Sequence, residues 1–130
     1  MPKYDKIGIV DDDAIAVFGM KRALMAIGLT PELLIFENGE DALEAFKKWL
    51  SAGETLPSPL FIDLNMPVMD GWDLVSELHL LISSKKQMPE IFIMTSSIDH
   101  RDIEKAKIYG LEANYLIKPV SGEDLKRVLG

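Results

Sequence analysis

The chain has 130 residues, with 48% hydrophobic and 27% charged side chains, a net charge of −7 and no cysteine. That length and mixture fit one globular domain, and the acidic balance argues against direct binding to nucleic acid, which needs a basic surface. Without cysteine there is no disulfide framework and no thiolate for nucleophilic attack or metal binding. No apolar run approaches the roughly 20 residues that cross a bilayer, and the first residues lack a signal-peptide pattern, so a cytoplasmic protein without a membrane partner is expected.

Short apolar runs alternate along the chain with longer segments of helical period. The runs predict strands at residues 6–10, 33–36, 60–62, 91–94 and 114–117. Helices are predicted at residues 14–27, 38–50, 72–84 and 99–109, with a short last helix that begins near residue 121. Five strand–helix units imply an α/β fold with a doubly wound, five-stranded parallel sheet, because crossovers between parallel strands are right-handed and usually helical. The expected strand order is 2-1-3-4-5, in one domain.

Capping residues mark the predicted helix boundaries. Asn38 and Asp99 are placed to accept hydrogen bonds from the first free backbone N–H groups of their helices. Ser121 and Asp124 have the spacing of a capping box. Gly28 stands where a helix commonly ends in the left-handed conformation.

Polar residues follow four of the five predicted strands. They are Asp11, Asp12 and Asp13 after the first strand, Asp63 after the third, Thr95 after the fourth and Lys118 after the fifth. In an open parallel sheet, ligands bind beyond the carboxyl ends of the strands, where strand order reverses. Asp12 and Asp63 are therefore expected to face one crevice, with Thr95 and Lys118 beside it. Asp13 is assigned only a helix-capping role.

This set of side chains predicts phosphoryl chemistry. Crowded carboxylates repel one another, and Mg²⁺ compensates such a cluster well because it prefers oxygen ligands. Lys118 supplies a cation for a carboxylate or a phosphate oxygen, and the Thr95 hydroxyl can donate to a further oxygen. A carboxylate nucleophile with a divalent metal, a lysine and a threonine forms a site for in-line phosphoryl transfer onto an aspartate.

Four segments of the sequence resemble the receiver domain of two-component response regulators, with a likeness to the chemotaxis regulators. They are residues 9–13 (IVDDD), 62–71 (IDLNMPVMDG), 94–97 (MTSS) and 113–119 (ANYLIKP). The segments occur in the right order, each at a strand end, and the resemblance covers essentially the whole chain. It implies a flavodoxin-like fold and a single receiver domain over residues 1–130, with no output domain.

The resemblance implies a role for each matching residue of the site. Asp63 would accept a phosphoryl group from a phosphohistidine, or from a small donor such as acetyl phosphate. Asp12, Asp63 and the backbone carbonyl of Asn65 would bind Mg²⁺ directly, while Asp11 would act through a metal-bound water. Lys118 would bridge to the phosphoryl group, and its peptide bond to the following proline would be cis.

The resemblance also implies a conformational switch. Thr95 would swing to hydrogen-bond the phosphoryl group, and Tyr115 would follow from an exposed to an inward rotamer, which reshapes the surface of the last two helices and the strand between them. Asn65 and Ser97, each two residues past a site residue, are predicted to tune slow autodephosphorylation. Ser96 stands where the family usually has alanine or another small residue, so access for the phosphodonor could differ.

The expected partners are a sensor histidine kinase or a histidine phosphotransfer protein of a phosphorelay, with output through protein–protein contacts. The short last helix leaves a phosphorylation-dependent dimer undecided. Two alternatives remain open. A Mg²⁺-dependent aspartyl phosphatase would need an acid–base aspartate where Asn65 stands, and would turn over a phosphate ester. A degenerate receiver that acts only as a binding scaffold would show no effect of Mg²⁺ on its stability.

Overall fold

The computed structural model describes residues 4–82, 87–97 and 99–129, in which strands and helices alternate. The strands are β1 (Lys6–Val10), β2 (Glu32–Phe36), β3 (Leu60–Asp63), β4 (Ile91–Thr95) and β5 (Tyr115–Ile117). The helices are α1 (Ala14–Ala26), α2 (Gly39–Ser51), α3 (Gly71–Leu81), α4 (His100–Ile108) and α5 (Gly122–Leu129). The strands form one sheet in the order β2-β1-β3-β4-β5, and every neighbouring pair is parallel. The predicted fold class and strand order are therefore confirmed.

The sheet separates two hydrophobic cores, because successive residues of a strand point to opposite faces. In β3, Phe61 packs in the core beneath α1 and α5, whereas Leu60 and Ile62 pack in the core beneath α2 and α3. The Phe61 ring stacks on Phe92 of β4 with the ring centroids 5.2 Å apart. Both faces of the central strands are thus buried, which explains why these strands are continuous apolar runs in the sequence. Within the described part of the chain, no helix is long and apolar enough to cross a membrane.

The predicted helix caps form as hydrogen bonds. Asn38 accepts from the Asp41 N–H at 2.7 Å. At the start of α5, the Ser121 hydroxyl accepts from the Asp124 N–H at 3.0 Å, and the Asp124 carboxylate accepts from the Ser121 N–H at 3.1 Å. Asp99 accepts from the second N–H of α4 at 2.8 Å.

The predicted end of α3 near residue 84 is wrong. The helix stops at Leu81, because Ile82 is already extended (φ −108°, ψ 111°) and turns its side chain into the core. Apolar residues continue past the helix end, so the periodicity of the sequence carries no sign of the stop. Residues 83–86 lie outside the described part of the chain.

The loop between β3 and α3 contains a strained backbone position. Val68 has φ +68°, and the Met69 N–H donates to the Pro67 carbonyl at 2.8 Å, which closes a γ-turn around Val68. A β-branched side chain in this left-handed region costs about 1–3 kcal/mol. Val68 is 89% exposed, so packing offsets little of that cost.

Val68→Gly is therefore expected to raise the free energy of unfolding by about 1 kcal/mol. Glycine relieves the strain in the native state, and the greater conformational entropy of glycine in the unfolded chain offsets part of this gain. Urea denaturation monitored by circular dichroism measures the change. Val68→Ala is the control, since alanine loses the β-branch and keeps a Cβ in the same conformation, and it should recover less. A loss of stability in Val68→Gly would contradict the strain.

Candidate functional site

The polar residues predicted at the strand ends lie at one edge of the sheet. Asp11 follows β1, Asp63 ends β3, Thr95 ends β4 and Lys118 follows β5. Asp11, Asp63 and Thr95 are the charged or hydroxyl-bearing side chains among the buried residues of the described chain. Because the strands are parallel, their carboxyl ends lie at the same edge of the sheet. The residues predicted from sequence spacing are therefore brought together there.

Three carboxylates meet at this edge. Asp11, Asp12 and Asp63 each offer an oxygen within 4.8 Å of the others. Asp11 and Asp63 are almost fully buried, at 2% and 3% exposure, whereas Asp12 is exposed. Asp13 points away and caps α1 by accepting a hydrogen bond from the Ile15 N–H at 2.9 Å, as predicted.

Lys118 is the cation of this cluster. Its Nζ lies 2.8 Å from Asp11 Oδ2 and 3.2 Å from Asp63 Oδ2. Its backbone N–H donates to the Thr95 carbonyl at 2.7 Å, which fixes the end of β5 against β4, and the Lys118–Pro119 peptide is cis, as the resemblance implied. Sequence reasoning expected Lys118 to pair with a carboxylate or a phosphate oxygen, but did not indicate that Asp11 would be the closer carboxylate, because sequence spacing does not distinguish the two.

Burial sets the charge balance of the acceptor. It raises the pKa of Asp63 above its ordinary value; the Asn65 backbone N–H opposes this, the Asp11 charge raises the pKa further and Lys118 lowers it. For Lys118, burial alone would lower the pKa, but its hydrogen bond to Asp11 and the charges of both carboxylates raise it above the ordinary value. Lys118 is therefore a permanent cation at neutral pH, while Asp63 ionises less readily than a free aspartate.

This raised pKa makes the stability of the metal-free protein depend on pH. Between the unfolded pKa of 3.8 and the higher folded pKa, the native state holds a proton on Asp63 that the unfolded state has lost. Ionisation of Asp63 therefore destabilises the native state as pH rises through this window, and the loss persists above it. Asp63→Asn should become more stable relative to wild type as pH rises from about 4 to 7.

Chemical denaturation in EDTA across this pH range tests that expectation. Asn keeps an oxygen that can accept the Asn65 N–H, so the hydrogen bond at 3.1 Å survives the change. The difference in unfolding free energy between variant and wild type should increase with pH and then level off. A difference that falls with pH would contradict the raised pKa.

The Thr95 hydroxyl is turned towards its own loop. Thr95 Oγ1 donates to the Ser97 carbonyl at 2.8 Å and accepts from the Ser97 N–H at 3.3 Å. The Asn65 side-chain amide also lies 3.4 Å from Thr95 Oγ1. Asn65 thus touches the acceptor through its backbone and Thr95 through its side chain, a link that sequence reasoning missed because the two residues belong to different strand–loop units.

Tyr115 occupies a half-buried position on β5. Its hydroxyl is buried and has no hydrogen-bond partner within residues 4–82, 87–97 and 99–129. Burial raises the pKa of Tyr115, and the nearby Asp102 and Asp99 charges raise it further. The resemblance implied an exposed ring in the resting state, yet this hydroxyl is already inward while Thr95 is still bonded to Ser97.

A cleft of about 600 Å³ opens over the carboxylates. Its lining combines the acidic cluster with apolar side chains that include Ile15, Met20 and Val120. Ser96 also lines this cleft, which is consistent with an influence on the entry of a phosphodonor. The cleft gives a ligand a direct approach to Asp63 from solvent.

Residues 7–129 match the family model of the response regulator receiver domain. The chain is 30% identical over 122 residues to the probable methanogenesis regulatory protein FilR2 of Methanothrix harundinacea, covering 93% of this chain and 76% of FilR2. It is 36% identical over 115 residues to the DNA-binding transcriptional regulator NtrC of Escherichia coli K12, covering 87% of this chain and 21% of NtrC. It also matches 14% of the length of the sensor histidine kinase CheAY of Helicobacter pylori. Relatives thus carry this unit within longer proteins of different kinds.

Solved structures show the same architecture. A two-component response regulator from Cytophaga hutchinsonii superposes with a TM-score of 0.85 at 27% identity, with 98% of this chain and 95% of that one covered. The chemotaxis protein CheY4 of Vibrio cholerae superposes with a TM-score of 0.71 at 25% identity, with 97% and 96% covered. The family match over residues 7–129, the 30% identical relative FilR2 and the strand-end geometry agree: the chain belongs to the response regulator receiver domain family.

Proposed function

We propose that this chain is a phosphorylation-controlled signalling switch, in which Asp63 accepts a phosphoryl group. The observation that carries the proposal is the buried Asp63 carboxylate, which lies 3.2 Å from the Lys118 ammonium and beside two further carboxylates at the floor of an open cleft. The donor would be a phosphohistidine of a sensor histidine kinase or of a histidine phosphotransfer protein in a phosphorelay. Acetyl phosphate would serve as a small donor.

The transfer needs an oxygen nucleophile and a fixed positive charge. An Asp63 oxygen would form the new bond to phosphorus as the bond from phosphorus to the donor nitrogen breaks, leaving an acyl phosphate. The positive charge of Lys118 would stabilise the negative charge that develops on the phosphoryl oxygens during transfer. The Thr95 hydroxyl would leave the Ser97 carbonyl to donate to the transferred group, which couples phosphorylation to the loop before α4.

The acidic cluster fits Mg²⁺. Among the residues that the structure describes, three carboxylates face one lysine, so negative charge remains uncompensated. The exposed Asp12 side chain is accessible to an entering ion. Asp12, Asp63 and the Asn65 backbone carbonyl would hold the ion, with Asp11 contributing through water. When bound, Mg²⁺ would neutralise charge between the acceptor and the phosphoryl oxygens.

Mg²⁺ should therefore raise the melting temperature of the wild-type protein, because a ligand that binds only the native state stabilises it. Asp12→Asn should weaken Mg²⁺ binding at least about tenfold. Losing a residue that only hydrogen-bonds to a metal ligand already costs this much affinity, and a residue that binds the metal directly should cost no less. Thermal melts over a Mg²⁺ titration measure both effects. Glu54→Gln is the control: it removes one negative charge from the exposed loop before β3, at the opposite edge of the sheet. If Mg²⁺ shifts the melting temperatures of Asp12→Asn and Glu54→Gln equally, Asp12 is not a ligand of the metal.

Intact mass after incubation with acetyl phosphate, with and without Mg²⁺, tests the proposal itself. We expect a Mg²⁺-dependent gain of one phosphoryl group in the wild type and none in Asp63→Asn, whose folding is checked by circular dichroism. If the wild type gains no phosphoryl group from acetyl phosphate or from a phosphohistidine donor, the chain would instead be a degenerate receiver that acts only as a binding scaffold. Release of phosphate from a generic ester would favour the phosphatase alternative.

The lifetime of the acyl phosphate would be set by Asn65 and Ser97. Asn65 is in contact with the acceptor, and the Ser97 carbonyl accepts a hydrogen bond from the Thr95 hydroxyl. These contacts support a role for both residues in directing an attacking water. Slow autodephosphorylation and output through protein contacts, in the cytoplasm, complete the proposal, with Tyr115 as part of the switch. An unchanged dephosphorylation half-life in Asn65→Glu would count against the role of Asn65.

A further inference from the structure

Trp72, near the start of α3, contacts both ends of helix α4. Its indole Nε1 donates a hydrogen bond to Asp102 Oδ1 at 2.9 Å. Its ring also stacks on Tyr109, with centroids 5.9 Å apart and an interplanar angle of 16°. Asp102 lies in the first turn of α4 and Tyr109 caps its C-terminus. The two residues are two helical turns apart and so share a face, with the buried Ala106 between them.

Trp72 is in turn fixed to the strand that carries the acceptor. It follows Gly71, whose N–H donates to the Leu64 carbonyl at 3.2 Å, and Leu64 adjoins Asp63. The Trp72 side chain is only 5% exposed and packs in the core beneath α3. A continuous set of contacts therefore links the acceptor to α4 without passing through the loop that carries Thr95.

The position of α4 matters because the proposed switch acts through the loop that directly precedes this helix. The Thr95 hydroxyl must leave Ser97 before it can donate to a phosphoryl group on Asp63, and Asp102 stands in the first helical turn after that loop. A hydrogen bond from a buried indole to a carboxylate is among the stronger neutral–charged pairs. It opposes displacement of that turn. Asp102 also lies close enough to Tyr115 to raise its pKa, so the contact adjoins the aromatic residue of the switch.

We propose that Trp72 is a positioning residue that holds α4 in the unphosphorylated state, through Asp102 and Tyr109, and so sets the equilibrium constant of the switch. The proposal rests on the function above, because it requires Asp63 to be the acceptor. Any ligand that favours the phosphorylated conformation must supply the free energy to break this contact. Weakening the contact therefore tightens the binding of such a ligand.

The test uses beryllium trifluoride, an analogue of the phosphoryl group, titrated in the presence of Mg²⁺ by isothermal calorimetry. Asp102→Ala and Trp72→Phe each remove one partner of the hydrogen bond, and phenylalanine keeps a ring to stack on Tyr109. We expect the analogue to bind about fivefold to tenfold more tightly to both variants. Asp102→Asn keeps a carbonyl acceptor and should restore an affinity near that of the wild type.

Glu104→Ala is the matched control, because it removes one acidic side chain from the exposed face of the same helix. Its affinity should equal that of the wild type. Equal affinity of Asp102→Ala and wild type, even with a lower melting temperature, would reduce the contact to a purely structural one and overturn the proposal. Failure of the wild type to bind the analogue, or equal binding by Asp63→Asn, would instead point to a failure of the proposed function.

Discussion

Lys118→Met is expected to lower the free energy of unfolding by about 2–3 kcal/mol near neutral pH without Mg²⁺. Removing one partner of a buried ion pair typically costs 3–5 kcal/mol, and the open cleft reduces that cost by admitting water. The variant leaves Asp11 and Asp63 facing each other without the ammonium that lies 2.8 Å and 3.2 Å from them. Phosphorylation by acetyl phosphate should also slow by roughly tenfold or more, because a fixed charge at the transferred group is lost.

The dependence on pH and Mg²⁺ distinguishes this electrostatic loss from a packing defect. The destabilisation should shrink as the pH is lowered towards about 4, because the raised pKa of Asp63 lets this carboxyl group take up a proton and lose its charge. Mg²⁺ should recover part of the lost stability by replacing the missing positive charge. Lys47→Met makes the same substitution on the exposed face of α2 and should stay within about 0.5 kcal/mol of wild type. Urea denaturation measures all three proteins. A loss independent of both pH and Mg²⁺ would contradict the electrostatic account.

Gly71→Ala is expected to destabilise the junction between β3 and α3. An added Cβ would lie 2.6 Å from the Asp63 carbonyl oxygen and 2.9 Å from Leu64 Cα. Both atoms belong to the backbone, so neither can rotate away, and the β3 end or the start of α3 must move. We expect a loss of about 3 kcal/mol in the free energy of unfolding. The displaced acceptor should also slow phosphorylation at least about tenfold, since catalysis depends on precise placement of the nucleophile.

Gly19→Ala provides the matched comparison. This glycine lies within α1, and an added Cβ would meet nothing within 4 Å. The same substitution there should raise the free energy of unfolding by about 0.5–1 kcal/mol, because alanine is the better helix former. If Gly71→Ala lowers the free energy of unfolding and Gly19→Ala raises it, the close approach of the backbone, and not the loss of a glycine as such, explains the requirement for glycine at the β3–α3 junction. A Gly71→Ala protein as stable as wild type would contradict the close approach.

The fold was predictable because its signals are local and repeated. Each apolar run marks a strand buried on both faces. Each helix between two runs is a crossover that makes the two strands it joins parallel. The cluster was predictable for a related reason: Asp11, Asp63 and Lys118 each directly follow an apolar run, and the carboxyl ends of parallel strands meet at one edge. Strand position alone therefore brings these residues together.

The contacts that sequence reasoning missed join side chains from separate strand–helix units. The Asn65–Thr95 and Trp72–Asp102 pairs have no shared periodicity, and their geometry depends on how the loops fold. The burial of Trp72 likewise involves a residue from another unit, because the ring of Tyr109 stacks on it. The left-handed conformation of Val68 was equally hidden, since valine strongly disfavours it. The two side-chain pairs depend on tertiary packing, whereas the Val68 conformation accompanies the γ-turn that the Met69 N–H closes.

The spread of the site over β1, β3 and β5 has a consequence for how the chain is made. Ribosomal synthesis delivers the three aspartates first, and the lysine that compensates them comes only after four strands have emerged. Contacts between distant segments also form late, because loop closure opposes them. Until β5 docks beside β4, the aspartates repel one another without a protein counter-ion. The nascent chain is thus expected to gain its acceptor in a single late step, and incomplete chains should be unreactive towards phosphodonors.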